Sequence, residues 1–418
     1  MSKRGVDRAV LAYSGGLDTS IIVPWLVDRY GCEVICYCSN VGQGGDELDG
    51  LEAKARRIGA SQVIVEDLRV PFVRDFCFPA LRAGAVYEGR YLLGTSLARP
   101  LIASRQVWAA ERTNADALAH GCTGKGNDQV RFELTYMALA PQLTVIAPWR
   151  EWDIASREDA LAYAERHGIP VAQQKDDLYS RDANLWHLSH EGGPIEDPAA
   201  SAPESVYRLT AGREQQPASP ECVTIGFERG RPVRVNGRTL GPVELVQALN
   251  EIAGRHGVGR ADLVESRLVG MKSRGVYETP AGTVLHESLE DLCRLVLPHD
   301  LLHARLELSH RYAELVYNGL WFSPLRRSLQ AFVDTALDVA TGDVTVELHR
   351  GRAVAVARTS PQTLHRPDLA SFDMTGYTPS HAEGFIRLFG LPLATAARRG
   401  PATPVGAAPT PAEVAENV

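Results

Sequence analysis

Apolar residues over the first 170 positions follow two alternating rhythms. Short, nearly continuous apolar runs of strand type occur at Ala9–Tyr13, Glu33–Ser39, Gln62–Glu66, Ala115–Ala119 and Leu143–Pro148. Between them, apolar positions recur at three- and four-residue spacing over Asp18–Tyr30, Glu47–Ile58, Leu97–Arg112 and Asp128–Ala140. That is the period of a helix with one buried face. Strands alternating with helices predict an α/β fold with a parallel, doubly wound sheet. One further helix, capped near Ser156 and ended by Gly168 just ahead of Pro170, closes this region, so a first domain is expected over residues 1–168. Beyond it, strand patterns at Ser219–Gly226, Val344–Leu348 and Ala353–Thr359 mix with long helical patterns such as Pro242–Gly254 and Ser288–Leu297. An α+β domain is therefore expected over 169–393, with hairpin turns at Arg229–Pro232 and His349–Arg352. From Ala394 no period survives, and the Ala, Pro and Thr of residues 394–418 predict a flexible tail.

Ligands of open parallel sheets collect at the carboxyl ends of the strands, so the loops that follow strands are where chemistry is expected. The first such loop reads Ala12-Tyr13-Ser14-Gly15-Gly16-Leu17-Asp18-Thr19-Ser20. A strand feeding a glycine turn into a helix start points unpaired N–H groups and the positive end of the helix dipole at one spot, which is an anion site. Ser14, Thr19 and Ser20 add hydroxyl donors. The loop contains neither the G-x-x-x-x-G-K-[ST] spacing nor G-x-G-x-x-G. Its S-G-G-x-D-[ST]-S pattern resembles the PP-loop of enzymes that cleave ATP between its α and β phosphates. That resemblance implies a loop built to hold the leaving pyrophosphate. Ser39–Gly45 and Gly121–Asp128 also follow predicted strands, so all three segments should share one pocket.

Composition narrows the class. With 418 residues, 44% hydrophobic and 23% charged, the chain has the make-up of a globular protein and the length of two domains. A net charge of −7 provides no global basic field, which argues against nucleic acid as a partner. No apolar run reaches membrane-spanning length and no secretory leader opens the chain, so no membrane partner and a cytoplasmic location are expected. The seven cysteines show no C-x-x-C spacing. Cys32, Cys36 and Cys38 fall on a predicted strand, where they read as small buried hydrophobes, and no protein metal site is expected.

Four segments carry the remaining chemistry. In Gly121-Cys122-Thr123-Gly124-Lys125-Gly126-Asn127-Asp128-Gln129-Val130-Arg131, Asn127 and Arg131 lie four apart on a new helix and share a face. Arg131 offers a planar fork for a carboxylate. Taken alone, this loop would equally be an ordinary helix start. In Tyr91-Leu92-Leu93-Gly94-Thr95-Ser96-Leu97-Ala98-Arg99-Pro100, Ser96 could cap a helix and Tyr91 could belong to the core. Polar clusters follow at 177–191 and 264–280.

Together these segments resemble the argininosuccinate synthase family, in order from Ala12 to about Leu391. The resemblance implies a ligase that joins citrulline and aspartate through a citrullyl-AMP intermediate, using ATP with Mg²⁺ and forming a homotetramer. It implies that Ala12, Tyr13, Ser14, Gly15, Gly16, Leu17, Asp18, Thr19, Ser20, Ser39 and Gly121 hold ATP. Tyr91, Ser96, Asn127, Arg131, Ser180, Ser189, Glu265 and Tyr277 would surround citrulline, while Thr123, Asn127 and Asp128 would receive aspartate. Asp128 is the candidate for orienting and deprotonating the aspartate amine, and Asp18 for a part in pyrophosphate release. The alternative is a related PP-loop ligase that takes another ureido compound. Ser39 and Cys122 stand where the family usually has alanine. Arg181 replaces a hydrophobic residue and is expected beside the citrulline pocket.

Overall fold

The computed structural model describes residues 5–44, 49–124, 126–154, 156–170, 178–370 and 376–399. The expected alternation is present as β1 (Arg8–Ala12), α1 (Leu17–Tyr30), β2 (Glu33–Asn40), α2 (Leu51–Arg57), β3 (Gln62–Asp67), α3 (Gly94–Thr113), β4 (Ala117–Ala119), α4 (Asp128–Leu139), β5 (Thr144–Ile146) and α5 (Arg157–Arg166). The strands form one sheet in the order β3-β2-β1-β4-β5, and every pair is parallel. The chain steps outward from β1 to β3 and then returns to the other side of β1, so the topological switch point lies between β1 and β4. Loops leaving those two strands diverge there and leave a crevice.

Strand alternation divides the sheet's side chains between two cores. Ala9, Leu11, Val34, Cys36 and Cys38 pack with Ile21 and Ile22 of α1 on one face. Val10, Ile35, Tyr37 and Leu118 pack with Ala103 and Val107 of α3 on the other. All seven cysteines are free thiols, and Cys32, Cys36 and Cys38 are buried as expected. The start of α5 is closed by a capping box: Asp159 N–H donates to Ser156 Oγ at 3.1 Å, and Ser156 N–H to the Asp159 carboxylate at 3.0 Å. Two differences stand out. Helix α2 begins at Leu51, with 45–48 outside the described residues. Residues 69–82 are also helical, including a wide π turn over Phe72–Cys77.

The second half continues as β6 (Ser180–Ala183), β7 (Leu188–Glu191), β8 (Glu221–Glu228), β9 (Arg231–Val235), β10 (Arg238–Thr239), α6 (Pro242–Arg255), β11 (Arg260–Ser266), β12 (Lys272–Glu278), α7 (Pro280–Val296), α8 (His299–Tyr317), α9 (Pro324–Ala336), β13 (Gly342–His349) and β14 (Arg352–Thr359). Five of these strands form an antiparallel sheet in the order β10-β9-β8-β13-β14, and four form another in the order β11-β12-β7-β6. Both expected hairpins close tightly, with Arg229, Gly230, Arg350 and Gly351 all at positive φ.

The chain forms two compact units, Met1–Leu364 and His365–Val418, and all three sheets belong to the first. The second carries α10 (Ser380–Phe389) and α11 (Leu391–Ala397), so a helix runs past Ala394, where the sequence period fails. Residues 400–418 of the expected tail lie outside the described residues.

Candidate active site

Strand β1 ends at Ala12, and the chain turns through Ser14 and Gly15 into α1. Gly15 has φ +78°, a conformation that glycine reaches without steric cost. The helix N-cap is Gly16, which has no side chain to close the first turn, so the leading N–H groups of α1 have no side-chain cap. Ser14 Oγ and Thr19 Oγ1 are 3.1 Å apart, Ser20 Oγ donates to the Gly15 carbonyl at 3.3 Å, and Tyr13 Oη lies 3.3 Å from Ser20 Oγ. These bonds hold the turn in a single shape. Asp18 is exposed in the first turn of α1, and Ser39 is buried at the carboxyl end of β2.

Gly121 follows β4 on the far side of the switch point. A Cβ there would lie 3.0 Å from Ile22 Cδ1 and 3.2 Å from Thr19 Cγ2, so the two loops lie against each other. Gly45 of the third loop, and Lys125, lie outside the described residues. The ammonium of Lys54, on α2, donates to the Gly15 carbonyl. Leu51, one turn earlier on the same helix face, packs against Gly15 and aims Lys54 there. Burial, with Arg57 nearby, lowers the Lys54 pKa.

Past the Gly121 loop, α4 starts with a dense polar cluster. Asp128 accepts Arg99 Nε at 2.7 Å and Arg131 Nη1 at 2.9 Å, and Arg99 also reaches Asp182 at 2.8 Å. Burial alone would raise the Asp128 pKa, but the two guanidinium groups win and hold it below the usual carboxylate range. Asn127 Nδ2 donates to Tyr317 Oη at 2.9 Å, and Asn127 Oδ1 accepts Leu268 N–H at 3.0 Å. Arg131 is buried, and its Nε donates to the Tyr317 carbonyl at 3.0 Å. As expected, Asn127 and Arg131 work from one helix face.

Strand register explains how the later segments join. Cross-strand partners share a sheet face, and in the β11-β12-β7-β6 sheet Ser189 sits opposite both Asp182 and Tyr277, while Ser180 sits opposite Glu191. Tyr277 pairs with Ala261, and Glu265 lies four residues along the same strand, so it shares that face. Ser180, Ser189, Glu265 and Tyr277 therefore belong to one polar surface, which also carries Asp182 and Glu191. The Glu265 carboxylate accepts Tyr277 Oη at 3.1 Å and Tyr317 Oη at 2.8 Å. Burial raises its pKa, and the phenol donors oppose that rise.

Arg181 does not lie beside this surface. It pairs with His190, whose ring nitrogen accepts its Nε–H at 3.0 Å on the opposite face. A one-residue step along a strand reverses the side chain, so adjacency to Ser180 carries it away from the pocket.

Tyr91 is buried with its ring 4.6 Å from that of Tyr277, and its hydroxyl accepts Thr95 N–H at 3.2 Å. Ser96 is not a cap. It lies inside the first turn of α3, and its side chain is fully buried. Thr123 and Ser180 are exposed. Sequence reasoning passed over Arg99, Tyr317, Tyr87 and Lys54, although Arg99 belongs to one of the motifs that carried the resemblance. Among the described residues, no group of three or more His, Cys, Asp or Glu side chains could hold a metal ion, and no helix is long and apolar enough to cross a membrane.

A parallel sheet whose first strand feeds an uncapped glycine loop at a switch point, with a polar sheet face beside it, defines an α/β protein of the nucleotide-binding class. The family description "Arginosuccinate synthase N-terminal HUP domain" matches residues 8–170, and "Arginosuccinate synthase C-terminal domain" matches residues 179–396. The chain is 60% identical to the argininosuccinate synthase of Roseiflexus castenholzii over 395 residues, covering 94% of this chain and 98% of that protein. It is 57% identical to that of Carboxydothermus hydrogenoformans over 388 residues (93% and 96%) and 54% identical to the chloroplastic one of Arabidopsis thaliana over 389 residues (93% and 79%). The chain belongs to the argininosuccinate synthase family.

Proposed function

We propose that the chain joins L-citrulline to L-aspartate at the expense of ATP, giving argininosuccinate, AMP and pyrophosphate, a step of arginine biosynthesis. One observation carries the reading. The uncapped loop after β1 lies against Gly121 at the start of the loop that leads into α4 at the switch point, and α4 is tied through Tyr317 to the sheet face bearing Glu265 and Tyr277. Three substrates must converge, and these are three adjoining surfaces.

A ureido carbon is a poor electrophile, because two nitrogens donate into it and its oxygen is a bad leaving group. In the first step the ureido oxygen attacks the α-phosphorus, the bridging P–O bond breaks, and pyrophosphate departs with the electron pair into the Ser14–Ser20 loop. In the second, the aspartate ammonium gives up a proton to a pyrophosphate oxygen, the neutral amine attacks the activated carbon, the carbon–oxygen bond breaks, and AMP leaves with the electron pair, its phosphate oxygen taking the second amine proton. Uncapped N–H groups and hydroxyls stabilise the charge that develops on the departing phosphates. Thr123, Asn127 and Asp128 hold aspartate, while Tyr91, Ser96, Asn127, Arg131, Ser180, Ser189, Glu265 and Tyr277 hold citrulline. Fixing these partners together contributes roughly 7 kcal/mol or more of the barrier reduction. Asp128, held ionised by Arg99 and Arg131, is a weak proton acceptor, so it orients the ammonium group of aspartate rather than deprotonating it.

Mg²⁺ would be held together with the triphosphate. It characteristically binds through one or two carboxylates plus substrate phosphates, a demand that fits a loop with Asp18 exposed beside it and no preformed metal cluster among the described residues. Asp18 would hold the ion, which supplies charge neutralisation. Residues 1–168 carry the nucleotide chemistry, 169–393 complete the amino-acid pocket, and the protein is cytoplasmic. A homotetramer is supported by α10 and α11, whose Phe385, Ile386, Leu388, Phe389, Leu391 and Leu393 are all exposed.

Residues 9–28 contain no lysine or arginine, so Lys54 is the cation that α2 brings to the loop. Lys54→Met is expected to raise the KM for ATP roughly fivefold to tenfold, the equivalent of about 1 kcal/mol of a charge-assisted contact, with little change in either amino-acid KM. Initial-rate kinetics check this. The whole reading is tested by pyrophosphate release with ATP and aspartate, comparing citrulline with other ureido compounds. Citrulline is expected to be turned over with by far the highest kcat/KM. Preference for another ureido compound would replace the proposed substrate.

A further inference from the structure

We propose that Tyr317 is a positioning residue shared by the citrulline and aspartate subsites, an inference that rests on the assignment of Asn127, Arg131 and Glu265 given above. Tyr317 is the last residue of α8 and is fully buried. Its phenol has a single hydrogen, so its two contacts have fixed directions. It accepts from Asn127 Nδ2 at 2.9 Å and donates to Glu265 Oε1 at 2.8 Å. The chain of bonds closes on itself, because Asn127 Oδ1 accepts the backbone N–H of Leu268, which stands three residues after Glu265. The amide of Asn127 is thereby oriented, with its oxygen toward Leu268 and its nitrogen toward Tyr317. One Nδ2–H remains for a ligand.

The main chain of the same residue holds the third group, since the Tyr317 carbonyl accepts Arg131 Nε at 3.0 Å. The ring cannot swing away. It stacks on Tyr87 with centroids 3.6 Å apart and planes 5° from parallel, and Tyr87 Oη donates to the Ser266 carbonyl at 2.8 Å. Tyr317 thus joins α4 to β11 through side chain and main chain together. A shift of its ring moves Asn127 and Glu265 at once, so aspartate and citrulline lose their contacts together. The phosphate loop makes none of these bonds.

Tyr317→Phe keeps the stack and removes only the hydroxyl, leaving the Asn127 donor and the Glu265 acceptor unpaired at a buried point. The expected result, in the folded variant, is a rise of about tenfold in the KM for both citrulline and aspartate, with the KM for ATP within twofold of wild type. Unchanged amino-acid KM values would overturn the inference, and so would an equal rise for all three substrates, which would mark general damage. If Tyr317→Phe does not fold, Tyr87→Leu decides the matter. It retains the hydroxyl but removes the ring beneath it, and is expected to raise both amino-acid KM values about threefold; no rise overturns the inference. Arg131→Lys and Glu265→Gln separate the two levels of the argument. Arg131→Lys loses the fork geometry and Glu265→Gln the charge, so both are expected to weaken amino-acid binding. If neither does, the pocket assignment fails. If both do while Tyr317→Phe behaves as wild type, the role given to Tyr317 fails alone.

Discussion

Replacing Gly15 with valine is expected to cut pyrophosphate release by at least about a thousandfold while the chain stays folded. Two local facts set that size. Gly15 has φ +78°, which a β-branched residue adopts only under strain, and a Cβ there would come within 3.3 Å of Leu51 Cδ1. The strain amounts to roughly 1–3 kcal/mol, a cost that a chain of this size withstands. The valine relieves it by moving the turn, which carries the first N–H groups of α1 away from the departing phosphates. Loss of one preorganised donor costs about 100- to 1000-fold in rate, and the turn orients several. Thermal unfolding and a pyrophosphate assay on the same preparation check both halves. Near-normal turnover would remove the loop from the chemistry.

Asp128→Asn is expected to be nearly as damaging, for an electrostatic reason. Asp128 is the counter-ion of both Arg99 and Arg131, and Arg99 keeps Asp182 as a second partner. Asparagine preserves the shape but withdraws the charge that holds the two cations and the incoming ammonium group. Breaking such a half-buried ion cluster costs roughly 1–2 kcal/mol of stability. The kcat/KM for aspartate should fall about 100- to 1000-fold, while ATP binding changes little. The sign of the pH dependence follows from the depressed pKa. Stabilisation by Asp128 is complete above its unfolded value, near pH 4, and is lost only as pH falls through the lower folded value. The stability difference between wild type and Asp128→Asn should therefore be flat from about pH 5 to 8 by urea unfolding. A difference that shrinks within that range would mean that Asp128 titrates there and is free to act as a base.

The first sheet was legible because its signals are local. Continuous apolar runs mark strands buried on both faces, and the glycine loop between β1 and α1 announces itself within nine residues. The sheet that carries Ser180, Ser189, Glu265 and Tyr277 was not legible as strands. Ser180-Arg181-Asp182-Ala183 has almost no apolar content, since one of its faces lines a polar pocket and the other holds the buried His190–Glu278 pair, 2.8 Å apart. An alternating pattern needs a greasy side, and this strand has none. Its pairing is also remote, Ser189 lying opposite Tyr277. For the same reason Arg181 was expected beside the pocket, where only knowledge of the strand would have placed it on the far face. Tyr317 closes an otherwise ordinary helix 190 residues from Asn127, so nothing near it in the chain marks it out. Lys54 sits among Arg56 and Arg57 and reads as part of a solvated helix face until Leu51 is seen against Gly15. Motif residues were readable one by one, whereas the contacts that aim them depend on tertiary pairing.

The most direct test of the account is the identity of the spent nucleotide. Purified protein supplied with ATP, citrulline and aspartate should convert each ATP to AMP with one pyrophosphate per argininosuccinate, followed by chromatography of the nucleotides. Formation of ADP and orthophosphate in step with the joined product would contradict it.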